Sequence, residues 1–255
     1  MHYLELTLAT PEENLALDEA LLEEAEASPS PMETLRVWES PETVVVVGRS
    51  SRVEEEVNLT FCREQGIPVL RRPSGGAAVG LGPGCLMYAL VLSRESRPEI
   101  RRIDAAHGYV LGKTAAALNT HVPEVACAGT SDLVLTQGGS SDAPWLKFSG
   151  NSVRVKRRHL LYHGTLLYDF ALDRISQCLL MPPRMPAYRA GRGHDRFLAN
   201  LPLARPAICS LLSLAWLANA PTQEWPSDRT ALLVAEKYCR ESWNQGESSP
   251  DYSNL

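Results

Sequence analysis

No stretch of this 255-residue chain stays apolar for the roughly 20 residues that a bilayer-spanning helix needs. Neither a secretory leader pattern nor a lipidation motif is visible, and a cytoplasmic location is expected. The six cysteines, at positions 62, 85, 127, 178, 209 and 239, form no Cys-x-x-Cys pair. That spacing indicates neither a zinc site nor a disulfide framework, and most of them read as small buried apolar residues. Excess positive charge is missing as well: 25 Lys and Arg stand against 30 Asp and Glu, a net charge of -5. Binding driven by phosphate backbones needs a cationic surface, so neither nucleic acid nor membrane is expected as a partner. The main glycine-rich stretch, residues 71–84, follows neither the Gly-x-Gly-x-x-Gly pattern nor that of a phosphate loop ending in Gly-Lys-Ser/Thr.

That stretch runs from Arg71-Arg72-Pro73-Ser74-Gly75-Gly76 through Ala77-Ala78-Val79-Gly80 to Gly84. It lies between two runs that read as strands, Ile67 to Leu70 and Cys85 to Leu92. Two cations are thus delivered at a strand end into a loop whose small residues let backbone N–H groups approach a ligand, a setting that suits anions. A solvated connection between strands is the other reading of the loop taken alone.

Around this loop the chain reads as one α/β domain of a size that can bury a sizeable core. Thr10-Pro11-Glu12-Glu13 is a helix start with Thr10 as cap, Pro11 in the first turn and Glu13 closing a capping box. Strands are expected over Thr34 to Trp38 and Thr43 to Gly48, and the all-apolar Val44-Val45-Val46-Val47 fits a strand covered on both faces. Gly48-Arg49-Ser50 would then lie near the loop, with Arg49 a candidate anion contact. Asn58 caps a short helix ending at Gly66, and Ile103 to Asn119 forms a longer one. Strands at Val122 to Cys127 and Asp132 to Thr136, then a polar loop from Gln137 to Pro144, lead to a hairpin over Leu146 to Tyr168. Short connections make the sheet largely antiparallel or mixed, flanked by helices. Helices are also read at Leu172 to Leu180, Asp195 to Leu201, Leu211 to Leu217 and Arg229 to Glu241. The tail from Asn244 is polar enough for disorder. Tyr188 to His194 is a cationic, glycine-containing loop, read first as solvated.

Within the hairpin stand Lys147-Phe148-Ser149-Gly150-Asn151 and His163-Gly164-Thr165-Leu166-Leu167. Together with Arg-Arg-x-Ser-Gly-Gly, in that order, these motifs resemble the lipoate-protein ligase A and octanoyltransferase family, relatives of the biotin-protein ligases. The resemblance runs from about Asn14 to about Leu201 and implies the catalytic-domain fold of that superfamily. On that basis residues 1–205 form a ligase-like catalytic domain and residues 206–255 a helical extension packed on it.

The implied activity is attachment of lipoate or octanoate to the acceptor lysine of a lipoyl domain through an acyl-adenylate. ATP and Mg would be cosubstrates, with no protein metal ligand and no prosthetic group. Implied partners are lipoyl domains of 2-oxoacid dehydrogenases, the glycine-cleavage H protein, and either acyl carrier protein or a separate accessory subunit. By match to the family motifs, Lys147 is the catalytic residue, reaching acyl carbonyl and phosphate. Arg72, Ser74, Gly75, Gly76, Ala77, Ala78, Val79 and Gly80 form the loop around the acyl-adenylate. Asp132, Gly150, His163, Gly164 and Thr165 complete the implied site.

Two departures from the family pattern matter. Gly-Gly-Ala-Ala-Val-Gly-Leu replaces Gly-Gly-Gly-Ala-Val-x-His, and Leu81 cannot donate a hydrogen bond. Beyond Leu201 only about fifty residues follow, fewer than a full accessory domain. An octanoyl transferase working through a Cys127 thioester is therefore the alternative mechanism, and buried packing the plain reading of that cysteine. A non-catalytic acyl-binding module is the alternative of another class.

Overall fold

The computed structural model describes residues 1–136 and 144–246. Strand β1 (His2–Glu5) is followed by helix α1 (Pro11–Ala27). The start of α1 is as read: the Thr10 hydroxyl accepts from the Glu13 N–H at 3.2 Å, and the Glu13 carboxylate accepts from the Thr10 N–H at 2.9 Å. Next come β2 (Thr34–Glu39), β3 (Val44–Val47), the short helices α2 (Val53–Glu56) and α3 (Leu59–Glu64), β4 (Val69–Arg71), β5 (Val79–Leu81) and β6 (Cys85–Ser93). Helix α4 (Ile103–Asn119) leads to β7 (Val125–Ala128), β8 (Asp132–Leu135), β9 (Leu146–Val155) and β10 (His159–Leu167). Helices α5 (Leu172–Cys178) and α6 (Arg205–Trp216), strand β11 (Ala220–Pro221) and helices α7 (Ser227–Leu233) and α8 (Glu241–Gln245) complete the described chain.

The strands make two sheets. The larger has the order β11-β1-β2-β6-β10-β9-β8-β7, the smaller β4-β3-β5. From β2 to β7 every pairing in the large sheet is antiparallel, as its short connections require, whereas β1 runs parallel to both β2 and β11. The sheet is therefore mixed and largely antiparallel, flanked by helices. The small sheet escapes a sequence reading because β5 lies inside the glycine-rich stretch, whose composition reads as loop throughout.

Side-chain alternation divides β10 between two faces. Leu160, Tyr162 and Leu166 join Val110, Leu118, Ile208 and Trp216 in the core under α4 and α6. Leu161 packs with Leu17, Leu21 and Leu22 of α1 on the opposite face, and Leu167 with Leu15 and Val46. His163 and Thr165, at the same parity, face that second side too. All four valines of β3 are buried, as a doubly covered strand requires.

Between α1 and the sheet lies an ionic cluster that sequence reading missed. Arg36 on β2, fully buried, donates to Asp18 Oδ1 at 2.5 Å, to Asn14 Oδ1 at 2.6 Å and to the Asn14 and Leu6 carbonyls. Trp38 Nε1 donates to the other Asp18 oxygen at 3.3 Å. Burial alone would push the Asp18 carboxyl upward, but Arg36 and His163 together outweigh it and hold the group below its ordinary range.

The C-terminal third departs from expectation in three places. Asp195 to Leu201 is not a helix: only the turn His194–Arg196 is helical, because Lys147 N–H donates to Phe197 O at 2.8 Å and Ala199 N–H to Lys147 O at 3.0 Å. The backbone there is committed to β9. Arg229 to Glu241 is broken into α7, a π turn over Val234–Tyr238, and the start of α8. Asn244, read as the start of a disordered tail, belongs to α8 and bonds to Arg71. The expected loop over 137–143 and the tail over 247–255 lie outside the described residues.

Candidate functional site

A cavity of about 470 Å³ opens between the two sheets, within the ~300–1,000 Å³ usual for a small-molecule site. One part of its lining is apolar: Leu15 of α1, Val46, Leu81, Met87, Leu167 and Ile175 come from six different elements. Leu81, which stands where the family pattern has histidine, is fully buried and extends this apolar wall. The other part is polar and holds Arg72, Lys147, Asp132, His163 and Thr165.

Arg72 leaves the end of β4 and shapes the loop after it. Its buried guanidinium donates to Val46 O at 3.0 Å, to Gly75 O at 2.7 and 3.2 Å and to Ala77 O at 2.9 Å. Arg49 N–H binds Ser74 O at 2.8 Å, Ser152 Oγ binds Gly75 O at 2.7 Å and Ser51 Oγ binds Gly76 O at 3.2 Å. Four consecutive carbonyls are thus turned toward protein donors. The N–H groups of Gly75, Gly76 and Ala77 meet no acceptor among the described residues, which leaves a row of donors of the kind that holds anions. Ala78 N–H is different, donating to the buried Glu56 carboxylate at 2.5 Å. Burial, opposed by Glu56, pulls the Arg72 guanidinium down to about 10, so it stays charged at neutral pH.

Gly48, at the end of β3, lets the loop fold back. A Cβ built there would stand 1.9 Å from Gly76 O, so Gly48→Ala must displace the loop. Its expected effect is at least a tenfold loss of ligand affinity, measured by titration calorimetry, with secondary structure retained by circular dichroism.

Of the two arginines that open the stretch, only Arg72 reaches the cavity. Neighbouring strand residues point to opposite faces, and Arg71, itself buried, lies on the side away from the cavity. It donates to Gly48 O at 2.6 Å, Ser51 O at 2.9 Å, Trp243 O at 2.9 Å and Asn244 O at 3.1 Å, tying α8 to the base of the loop. The Arg49 side chain is exposed and likewise outside the cavity, its backbone alone touching the loop.

Lys147 lies on β9, across the cavity. Its ammonium sits 2.7 Å from Asp132 Oδ1, and Tyr188 donates to Asp132 Oδ2 at 2.8 Å. Gly150 makes room for this arrangement, since a Cβ there would stand 3.0 Å from Lys147 Nζ. Its N–H donates to Thr165 Oγ1 at 3.2 Å. His163 Nε2 lies 2.5 Å from Ser74 Oγ and pins the loop to β10. On its other side Nδ1 is buried without a hydrogen-bond partner, 3.9 Å from Asp18 Oδ2.

The expected site residues Arg72, Gly76, Ala77, Ala78, Val79, Gly80, Asp132, Lys147, Gly150, His163, Gly164 and Thr165 share the one cavity. Ser74 and Gly75 do not line it: Ser74 is buried behind the loop against His163, and Gly75 is exposed. Cys127 is likewise outside. It pairs with Leu133, whose side chain packs under α4, whereas Ala128 pairs with the cavity-facing Asp132, so strand parity sends the thiol to the other face. Cys127 is exposed and not the buried packing residue expected; partial desolvation still pushes its thiol upward and no neighbouring cation lowers it, the reverse of what a thiolate nucleophile needs. Sequence reading also missed the apolar wall and Arg189, a buried member of the lining from the loop first read as solvated.

The model of the lipoyl protein ligase A/B catalytic domain matches residues 10–203. A protein of Aeropyrum pernix, provisionally named lipoate-protein ligase A, is 30% identical over 177 residues, 69% of this chain. The match spans 61% of that relative's length. Among solved structures, the bi-partite lipoate protein ligase of Thermoplasma acidophilum, described with its E2 lipoyl domain, superposes with a TM-score of 0.78 at 21% identity, covering 99% of each chain. A lipoate-protein ligase A bound with ATP gives a TM-score of 0.77 at 21% identity, over 96% of this chain and 99% of its own. These likenesses establish the fold.

Proposed function

The chain belongs to the lipoyl protein ligase A/B catalytic-domain family, and on that premise we propose that it joins lipoate or octanoate to the acceptor lysine of a lipoyl domain through an acyl-adenylate made from ATP. The observation that carries this reading is the convergence of Arg72 and Lys147, distant in sequence, on one cavity with an apolar wall. The wall suits an acyl chain. The free N–H row and the two cations suit a carboxylate and a phosphate.

In the first step a carboxylate oxygen attacks the α-phosphorus and pyrophosphate leaves; Mg²⁺ would enter with the nucleotide as part of the substrate. Arg72 holds the loop that receives the phosphate, and the Lys147 ammonium neutralises charge gathering on the acyl and phosphoryl oxygens. In the second step the acceptor amine forms the new C–N bond as the C–O bond to AMP breaks, and the amine loses a proton. Asp132, already ion-paired with Lys147 and hydrogen-bonded by Tyr188, positions that ammonium. Acceptors would be lipoyl domains of 2-oxoacid dehydrogenases or the glycine-cleavage H protein, and the bi-partite Thermoplasma ligase makes a separate accessory protein a candidate partner.

Lipoate-dependent exchange of labelled pyrophosphate into ATP tests the first step. Exchange above background, with or without an accessory protein, is expected; none under either condition, with carrier-bound octanoyl as the only donor accepted, would overturn the adenylate. Because Cys127 faces away from the cavity, Cys127→Ala is expected to keep acyl transfer within about twofold of the unsubstituted protein. Loss of transfer in that variant would restore the thioester route.

A further inference from the structure

Arg189 is a buried cation of the cavity lining that has no role in the chemistry described so far. It is 3% exposed and lines the cavity, yet no carboxylate lies within 4.0 Å of it among the described residues. Its guanidinium finds only weak or neutral partners. Nε donates to Arg192 O at 2.8 Å, while Nη2 lies 3.4 Å from the Met181 sulfur and 3.3 Å from His194 Nδ1. Nη1 donates to nothing among the described residues, and the plane stacks 4.6 Å from the Phe197 ring centre.

Taking a cation out of water costs several kcal/mol unless an opposite charge is supplied. Among the described residues no carboxylate is supplied within 4.0 Å, while the stacking and the Arg192 carbonyl fix the fork in place. Such a residue is pre-organised for an oxyanion that arrives with the ligand. Burial also pulls Arg189 below its usual range, the sign of an environment that favours a counter-charge. His194 is pulled down by burial and then by Arg189 and Lys147, so the ring next to the fork stays neutral and adds no second cation. Asp132 acts on Arg189 only from a distance, its two oxygens being bonded to Lys147 and Tyr188.

We propose that Arg189 is a phosphate-binding residue of this cavity, contacting the polyphosphate of the nucleotide rather than the carboxylate of the acyl substrate. A single carboxylate is matched by Arg72 and Lys147, whereas a triphosphate carries enough charge for a third cation. The naming of the nucleotide rests on the ligase reading; the anion site itself does not.

Titration calorimetry of the full chain and of Arg189→Gln with ATP, inorganic pyrophosphate and octanoate tests this. Affinity for ATP and pyrophosphate should fall at least tenfold in Arg189→Gln, octanoate affinity should stay within twofold, and Arg189→Lys should lie between. A structural role alone would weaken all three together, and equal loss of all three overturns the proposal. So does an unchanged phosphate affinity, a loss confined to octanoate, or an unsubstituted protein that binds neither phosphate probe. Arg189-dependent pyrophosphate binding by a protein that modifies no lipoyl domain would contradict the ligase reading and leave the anion site standing.

Discussion

Replacing Lys147 by alanine is expected to lower acyl transfer by about 10²–10³-fold, the usual loss when a preorganised group facing developing negative charge is removed. The fold should survive, because the Lys147 side chain is 26% exposed and its backbone contacts to Phe197 and Ala199 do not depend on the ammonium. The affected quantity should be the rate and not the binding of octanoate, whose tail meets the apolar wall. Single-turnover kinetics with a preformed acyl-adenylate separates the two. A variant that transfers within about twofold of the unsubstituted protein would remove Lys147 from the chemistry. Lys147→Arg should not rescue, since a planar guanidinium does not present its charge as the compact ammonium does beside Asp132 and Gly150.

The second large effect concerns stability. Asp18→Ala leaves the fully buried Arg36 guanidinium without its counter-charge, and loss of one partner of such a pair costs about 3–5 kcal/mol. For a chain of this size that corresponds to a drop of roughly 6–20 °C in Tm, read by calorimetry. The pH dependence follows from the direction of the Asp18 shift. A carboxyl held below its unfolded value contributes stability fully above about pH 4, and that contribution is lost as pH falls through the lower folded value. Asp18→Asn should therefore flatten the acid limb of the stability curve. Replacing both partners with apolar residues, Asp18→Leu with Arg36→Met, should recover much of the loss, because it removes both buried charges. If the single alanine variant unfolded at the same temperature as the parent, the cluster would be contributing nothing.

The sequence made local features legible and concealed those that depend on three-dimensional register. Thr10, Pro11 and Glu13 announce α1 because a capping box is complete within four residues. Arg72, Lys147 and His163 were found through motifs, each contained in a single loop or strand. The same loop makes Ser74 and Gly75 look like ligand contacts, but which loop residues face inward is set by Arg72 at its start and by Ser152 and His163 from β9 and β10. The Cys127 side depends on strand parity, and a register shift between Leu133 and Val134 separates its neighbourhood from that of Lys147. Counting residues along the chain cannot reveal this. Arg36 and Asp18 come from a strand and a helix whose packing no short-range pattern specifies, and an arginine inside an apolar strand is ordinarily read as exposed. Arg189 was hidden for a related reason: a loop rich in Gly and Arg looks solvated until Phe197 and Met181 are seen to cover it.

The most direct test is the mass of an apo lipoyl domain after incubation with this chain and synthetic lipoyl-adenylate, which bypasses any need for a second subunit. The expected result is one lipoyl increment on the acceptor lysine, formed by the unsubstituted protein and by Cys127→Ala but not by Lys147→Ala. An unmodified domain in the presence of the unsubstituted protein, or equal modification by the Lys147 variant, would contradict it.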